Sequence, residues 1–194
     1  MIILLTGKAG SGKDTVADYL VANYGFKKAF FADTLKKAVK EVFGLTDLQA
    51  YDREEREKVI PYWGYSPRQM FQLIGTEVFR NHFDKDIWVK SLRYKVLQDL
   101  NSNWVISDSR FPNELNAFDG IGSQGREAIV IKVVRDGYNG NVGIANHESE
   151  QYDLPCHFTL KNNVPLDKLK WKVMFLMRER ILEGINLTDE ERIV

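Results

Sequence analysis

The chain has 194 residues and is 44% hydrophobic, which fits one domain with a sizeable core better than two separately folded units. Basic residues (Lys and Arg) and acidic residues (Asp and Glu) number 27 each, so no overall basic field exists to hold a nucleic acid polymer or an anionic membrane surface. A negatively charged partner must therefore be bound by a local cluster of residues.

Cysteine content and hydropathy bear on the compartment in which the protein works. Cys156 is the only cysteine of the sequence, so it has no internal disulfide partner and no cysteine-based metal cluster, as expected in a reducing cytosol. The apolar run at residues 1–5 is too short for a secretory signal, and no segment approaches the ~20 apolar residues needed to span a bilayer. We therefore expect a cytoplasmic protein.

Strand-like and helix-like segments alternate along the chain. Apolar or β-branched runs predict strands at residues 1–6, 26–31, 104–107, 128–134 and 158–160. This alternation predicts a three-layer α/β fold, in which a mostly parallel five-stranded sheet is flanked by helices on both faces.

The helices carry recognisable start and stop signals. Ser66 as N-cap and Pro67 at the first helical position predict a helix start. Gly44 predicts the end of an earlier helix, on which one face is expected to carry Leu35, Ala38, Val39 and Val42. The charged stretch at residues 52–58 is interpreted as a solvated helix or a mobile segment, and residues 166–181 as a closing helix.

The most specific motif is GKAGSGK at residues 7–13, which fits the phosphate-loop pattern G-x-x-x-x-G-K between a predicted strand and a predicted helix. Backbone N–H groups and the helix N-terminus of such a loop surround phosphate oxygens, and Lys13 would neutralise the β- and γ-phosphates of ATP. The alternative is a glycine-rich turn that merely closes the corner, which the complete motif in this context disfavours. We assign ATP binding to Gly7, Ala9, Gly10, Ser11, Gly12, Lys13, Asp14 and Thr15.

The phosphate loop departs from the usual pattern at one position. Asp14 occupies the place of the Ser or Thr that normally binds Mg²⁺, and Thr15 follows it. Thr15, or a water molecule held by Asp14, could replace the usual ligand, so both residues are candidate Mg²⁺ contacts.

Charged residues follow two of the predicted strands, where open α/β sheets place ligand-binding groups. Asp108 at the end of one strand could organise Mg²⁺ or a substrate hydroxyl, and Arg110 could bind a phosphate. Arg135 follows the most apolar strand and could stabilise the transferring phosphoryl group. The alternatives are a surface ion pair for Asp108 and Arg110, a solvent-exposed strand cap for Arg135, and a first-turn helix acid for Glu114.

Further candidates lie on predicted helices. Arg68 and Gln72 are four residues apart and share a helix face that could present a guanidinium to an acceptor phosphate, although solvated residues show the same spacing. Trp88 could stack on a base or belong to the core. Asp33, at the start of the second helix, is a further candidate for substrate binding.

The polar segment at residues 136–150 is interpreted as a lid. It contains His147, Glu148 and Glu150, but no second histidine stands at metal-site spacing, so we predict no protein-built metal centre there.

Several segments together resemble the bacteriophage deoxynucleoside monophosphate kinases. They are GKAGSGKDTVAD at residues 7–18, residues 31–44, RQMFQLIGTEVFRNHFDKDIWV at residues 68–89, VISDSRFPNE at residues 105–114, and residues 134–150. The most specific features are GKD in place of GK[ST], the GTE helix leading to WV, and the D-x-R-x-x-x-E string. The resemblance spans most of the chain.

The resemblance implies a P-loop kinase fold and transfer of the ATP γ-phosphoryl group to a deoxynucleoside 5′-monophosphate, with Mg²⁺. It implies that Arg68, Trp88, Asp108, Arg110 and Glu114 surround the acceptor nucleotide. It also implies that Arg135 acts from the side of the lid. One kinase domain over residues 1–194 is expected, with a helical substrate region at about residues 45–100.

The predicted mechanism is an in-line phosphoryl transfer without a covalent intermediate. Its catalytic residues are Lys13, Asp108, Arg110 and Arg135. The expected partners are small nucleotides, and the resemblance also suggests a homodimer. The expected compartment is the cytoplasm, which is that of the host if a phage encodes the protein. The alternatives are a kinase for another phosphorylated acceptor, of the phosphomevalonate or dephospho-coenzyme A type, and a nucleotide-binding regulatory protein without transfer activity.

Overall fold

A computed structural model describes residues 1–121, 128–137 and 153–182 of the protein. These residues form a five-stranded sheet in which every pair of neighbouring strands is parallel. Its strands are β1 (Ile2–Thr6), β2 (Lys27–Ala29), β3 (Trp104–Ile106), β4 (Ile129–Val134) and β5 (Phe158–Lys161). The strand order is β2-β3-β1-β4-β5, so the strand that precedes the phosphate loop lies at the centre. The predicted fold class is confirmed.

Helices connect the strands. They are α1 (Lys13–Tyr24), α2 (Asp33–Phe43), α3 (Asp47–Tyr51), α4 (Pro67–Gln72), α5 (Ile87–Leu97), α6 (Pro112–Leu115) and α7 (Leu166–Phe175). Helix α4 continues as a π-helical segment over Leu73–Arg80, α7 continues in the same way over Leu176–Leu182, and a 3₁₀ turn spans Glu55–Glu57. None of the helices in the described residues is long and apolar enough to cross a membrane.

Alternate residues of the central strand β1 face two separate hydrophobic cores, because successive side chains of a strand point to opposite faces. Ile2 and Leu4 pack in the core that includes residues of α2, α4 and α5. Ile3 and Leu5 pack in the core that includes residues of α1 and α7. The sheet is therefore the middle of three layers.

The predicted helix boundaries at Ser66 and Gly44 are confirmed. The Ser66 hydroxyl accepts a hydrogen bond from the Gln69 backbone N–H, and the Gln69 side chain accepts one from the Ser66 N–H, which forms a capping box. Gly44 ends α2 in the left-handed conformation, with φ of 63°.

The predicted apolar face of α2 is only half correct. Leu35 and Val39 are buried, whereas Ala38 and Val42 are exposed. The two buried residues are four apart and form a narrow stripe toward the sheet, while residue 38 lies beyond its edge and residue 42 lies near the C-terminal end of the helix.

Candidate active site

The carboxyl edge of β1, β2 and β3 and the helical region beside it enclose a cleft of about 340 Å³. Its lining combines the phosphate loop, the segment after β3 and the helices between β2 and β3. The residues predicted from the sequence that line it are Ala9, Gly10, Lys13, Asp14, Arg68, Gln72, Trp88, Asp108, Arg110 and Glu114. Most of the predicted site is therefore brought together in one cavity.

The phosphate loop is a tight turn around Lys13. The side chain of Lys13 is buried, and its Nζ donates hydrogen bonds to the carbonyl oxygens of Gly7 at 2.6 Å and Lys8 at 2.8 Å. Gly7 has φ of 129°, and a Cβ atom there would lie 2.2 Å from the carbonyl oxygen of Val133 in β4. Only glycine fits this position, because both the backbone conformation and the contact with β4 exclude a side chain.

Asn162, which the sequence analysis missed, supports the other end of the loop. Its side-chain amide donates to the carbonyl oxygen of Ser11 at 2.8 Å. A Cβ atom on Gly12, whose φ is 104°, would lie 2.3 Å from the same amide nitrogen. The residue after β5 therefore packs directly against the turn from which α1 begins.

Asp14 is held by one group on β2 and by one group just after β3. Its Oδ1 accepts a hydrogen bond from the Ser107 hydroxyl at 2.9 Å and lies 2.9 Å from Nζ of Lys28. Burial alone would raise the pKa of Asp14, but the hydrogen bonds from Lys28 and Ser107 and the positive charges of Lys28 and Lys13 outweigh burial and lower it. Asp14 is therefore a carboxylate at neutral pH. Thr15, predicted as a second Mg²⁺ contact, is not part of the lining.

Asp108 ties the segment after β3 to the segment after β2. Its carboxylate accepts hydrogen bonds from the backbone N–H groups of Phe31 at 2.8 Å and Ala32 at 3.0 Å. Burial raises the pKa of Asp108, against the lowering by these two N–H groups and by the charges of Arg110 and Lys36. In this structure Asp108 shapes the wall of the cleft.

Glu114 lies beneath the same wall and is 2% exposed. One oxygen accepts from the Arg80 guanidinium at 2.8 Å, and the other accepts from the backbone N–H groups of Arg110 at 2.7 Å and Phe111 at 3.1 Å. Burial raises the pKa of Glu114 to about 7, against the hydrogen bonds that lower it, and the charge of Asp108 adds to the rise. Glu114 thus holds the backbone of Arg110 and Phe111 in place. Arg80, which the sequence analysis missed, lies over the Phe111 ring at 4.0 Å.

Several cationic side chains line the helical side of the cleft. They are Lys36, Arg56, Arg68, Arg80 and Arg110. Arg56 and Lys36 were missed, because no local pattern distinguishes them from charged residues that face solvent. The prediction of a merely solvated segment at residues 52–58 is wrong for Arg56, whose side chain is only 25% exposed.

Trp88 belongs both to the core and to the cleft. It is 5% exposed, its indole N–H donates to the Gly75 carbonyl at 3.0 Å, and its ring packs at an angle against Phe79. The core interpretation is confirmed, and because Trp88 also lines the cavity, its stacking on a base stays a prediction. Gln72 lies on the same side of the cleft.

Asp33 and Arg135 are predicted site residues from outside the phosphate loop that lie apart from this cavity. Asp33 is not part of the lining, and its carboxylate lies 3.0 Å from Nζ of Lys37 and 3.9 Å from Nζ of Lys95. Asp33 is therefore an ion-pairing residue in the first turn of α2. Arg135 is exposed just after β4 and also lies outside the lining. Of the predicted lid, residues 138–150 lie outside the described residues.

Comparison with known proteins identifies the family. A family model described as deoxynucleotide monophosphate kinase matches residues 53–173, which is more than half of the chain. A putative deoxynucleotide monophosphate kinase of Acanthamoeba polyphaga mimivirus is 37% identical over 150 residues, covering 71% of this chain and 75% of that protein. The deoxynucleotide monophosphate kinase of Enterobacteria phage T4 is 26% identical over 206 residues, covering 72% of this chain and 83% of that protein.

Among solved structures, a shikimate kinase from Aquifex aeolicus vf5 aligns with a TM-score of 0.44 and 14% identity, over 95% of this chain and 100% of that chain.

The family resemblance found in the sequence is confirmed by the family model and by the two viral relatives. The chain belongs to the deoxynucleotide monophosphate kinase family.

Proposed function

We propose that this protein transfers the γ-phosphoryl group of ATP to a deoxynucleoside 5′-monophosphate, giving ADP and a deoxynucleoside diphosphate. One observation carries the proposal: a single cleft has a phosphate loop with its lysine at one side and several arginines at another. Two phosphate groups can therefore meet in one cavity, which is what transfer between two nucleotides requires. The names of the matching family and of its viral relatives support the choice of acceptor.

The donor half of the site consists of residues 7–15. Gly7 and Gly12 take positive φ, which closes the turn tightly, and α1 begins directly after Gly12. A helix N-terminus and its free N–H groups favour an anion. Lys13 binds the β- and γ-phosphates, by exchanging its present carbonyl acceptors for phosphate oxygens.

The acceptor half is the cationic wall between α2 and α6. Arg68 and Arg110 bind the acceptor phosphate, and Glu114 keeps Arg110 in place through its backbone N–H. The apolar surface of Phe71 and Trp88 supports the base or the sugar. Arg135, which is exposed just after β4 and outside the lining of the cleft, is the further residue that we propose stabilises the transferring group.

The residues of the cleft fit a magnesium ion that arrives on the donor phosphates. Among the described residues no group of three or more His, Cys, Asp or Glu side chains is placed to hold a metal ion. Asp14 lines the cleft beside Lys13, and Mg²⁺ in phosphate-transferring sites commonly takes substrate phosphates, water and one or two carboxylates. Bound there, Mg²⁺ would neutralise charge on the donor phosphates. Asp14 and the Ser107 hydroxyl are the groups that would hold its water ligands.

The transfer needs no dedicated general base. The second pKa of a phosphate monoester is about 6, so an acceptor oxygen is already ionised near neutral pH. That oxygen attacks the γ-phosphorus, a new P–O bond forms, and the bond to the bridging oxygen breaks as its electron pair leaves with ADP. Positioning by Arg68, Arg110 and Lys13 supplies most of the catalysis.

The proposal is tested by ADP release in the presence of ATP and Mg²⁺, with dTMP, dGMP, dCMP and dAMP offered separately and followed by the matching ribonucleotides. Release that depends on a deoxynucleoside monophosphate is the expected result, and the panel also measures the range of bases. Binding of ATP without acceleration by any of these acceptors would overturn the proposal.

A further inference from the structure

The side chain of Arg56 points into the cleft, although the residue lies in a charged segment at the surface. It lies in the 3₁₀ turn Glu55–Glu57, within the charged run that follows α3, yet its side chain lines the cleft. Its Nε is buried without a hydrogen-bond acceptor and lies 3.6 Å from Oε1 of Glu57, which is ion-pair but not hydrogen-bond distance. A buried guanidinium N–H without an acceptor is costly unless a ligand supplies one.

Arg56 shares its counter-ion with a second arginine. The same Oε1 of Glu57 lies 3.1 Å from Nη1 of Arg68, whose side chain is 16% exposed. One exposed carboxylate thus faces two guanidinium groups. The charge of Asp108 is offset by its hydrogen bonds to backbone N–H groups.

The electrostatic environment of Arg56 is correspondingly unfavourable for a cation. Burial and the positive charge of Arg68 lower the pKa of Arg56, Arg110 adds to this, and Glu57 opposes it. Lys36 lies near enough to feel the same repulsion from Arg56. A multiply charged anion in the cleft would relieve all of these interactions.

We infer that Arg56 binds the 5′-phosphate of the acceptor nucleotide together with Arg68, and that Glu57 is the counter-ion holding both guanidinium groups before the phosphate arrives. The inference rests on the proposed function and adds a binding residue to it. The planar fork of arginine matches phosphate oxygens, and two arginines supply the donors for a dianion. The donor phosphates, by contrast, are expected at the loop around Lys13.

The test measures nucleotide binding by calorimetry and thermal unfolding in wild type and in Arg56→Gln. The ligands are the four deoxynucleoside monophosphates, the matching deoxynucleosides, ATP and inorganic phosphate. In Arg56→Gln we expect affinity for the best monophosphate to fall about 10- to 100-fold, as for loss of a hydrogen bond to a charged group. Affinity for ATP should stay within about 2-fold, and protection by inorganic phosphate should weaken.

Three comparisons separate binding from a structural role. Lys58→Gln changes an exposed lysine of the same charged run, which pairs with Glu55, and should bind as wild type does. Unliganded Arg56→Gln should unfold at the wild-type temperature or above it, because a repelled charge is removed. Arg56→Lys, which keeps the charge without the fork, should lose an intermediate amount of affinity.

The outcomes are distinct. If wild type binds no monophosphate, the proposed function fails. This inference is overturned, while the proposed function stands, if the affinity of Arg56→Gln for the monophosphate is within about 3-fold of the wild-type affinity. It is also overturned if Arg56→Gln loses affinity for ATP and not for the monophosphate. Glu57→Gln should tighten monophosphate binding by about 2- to 5-fold, as expected for removal of a competing exposed charge, and weaker binding would contradict the counter-ion role.

Discussion

At a pH above its folded-state pKa of about 7, Glu114 is a carboxylate, and replacing it with alanine should lower the free energy of unfolding by about 4 kcal/mol. The carboxylate is 2% exposed and accepts three hydrogen bonds, from Arg80 at 2.8 Å and from the backbone N–H groups of Arg110 at 2.7 Å and Phe111 at 3.1 Å. Breaking a buried ion pair by removing one partner typically costs about 3–5 kcal/mol, and each buried N–H left without an acceptor costs about 1–3 kcal/mol. Water reaching the 14%-exposed Arg80 side chain recovers part of this sum.

Urea unfolding followed by tryptophan fluorescence measures the change, since the chain contains four tryptophans. Glu41→Ala, on the exposed side of α2, is the matched control and should change stability by less than about 0.5 kcal/mol. A loss below about 1 kcal/mol in Glu114→Ala would refute the reasoning, because the three hydrogen bonds would then contribute little to the fold.

Three further predictions concern the phosphate loop and pH. Lys13→Ala should lower turnover in the ADP-release assay by at least about 100-fold with wild-type unfolding behaviour, and an active variant would contradict the role of the loop. Gly7→Ala should lower the free energy of unfolding, measured in urea, by more than about 2 kcal/mol. The control is Gly64→Ala, where φ is 69° and no atom lies within 4 Å of the added Cβ, and it should cost about 1 kcal/mol. Equal costs would contradict the packing of the loop against β4. The folded protein keeps the Glu114 proton up to about pH 7 and the unfolded chain releases it near 4.5, so the stability of wild type relative to Glu114→Gln should fall by about 3 kcal/mol as pH rises through that window. Urea titrations at stepped pH measure this difference, and a constant value would mean that Glu114 does not titrate there.

The features that were correctly predicted from the sequence depend on residues close together in the chain. The phosphate loop is a run of seven residues, and its glycines are needed because the backbone takes positive φ at Gly7 and Gly12. The helix that starts at Ser66 depends on a capping box within four residues. Strands β1 and β3 are buried throughout and are almost entirely apolar, so their positions could be predicted directly from the sequence.

The contacts of several charged residues could not be predicted in this way. Arg56 lies in a run of charged residues, which is typical of a solvent-exposed segment. Its side chain lines the cleft only because the 3₁₀ turn packs beside the cleft. Asp108 accepts hydrogen bonds from the backbone N–H groups of Phe31 and Ala32, which are 77 and 76 positions away in the sequence. Asn162 donates a hydrogen bond to Ser11 of the phosphate loop, 151 positions away. Glu114 reads from the sequence as a first-turn helix acid but is buried against Arg80.

The sequence by itself therefore determined the fold class, the family and the phosphate loop, because each depends on local periodicity or on a contiguous motif. Only the tertiary structure decided that Lys36, Arg56 and Arg80 also line the cleft. It also decided that Asp33 pairs with lysines outside the cleft. The physical reason is that a charged side chain has nearly the same local preferences in solvent and in a site. Its burial, its partners and its pKa are set by elements that are distant in the chain and adjacent in the fold.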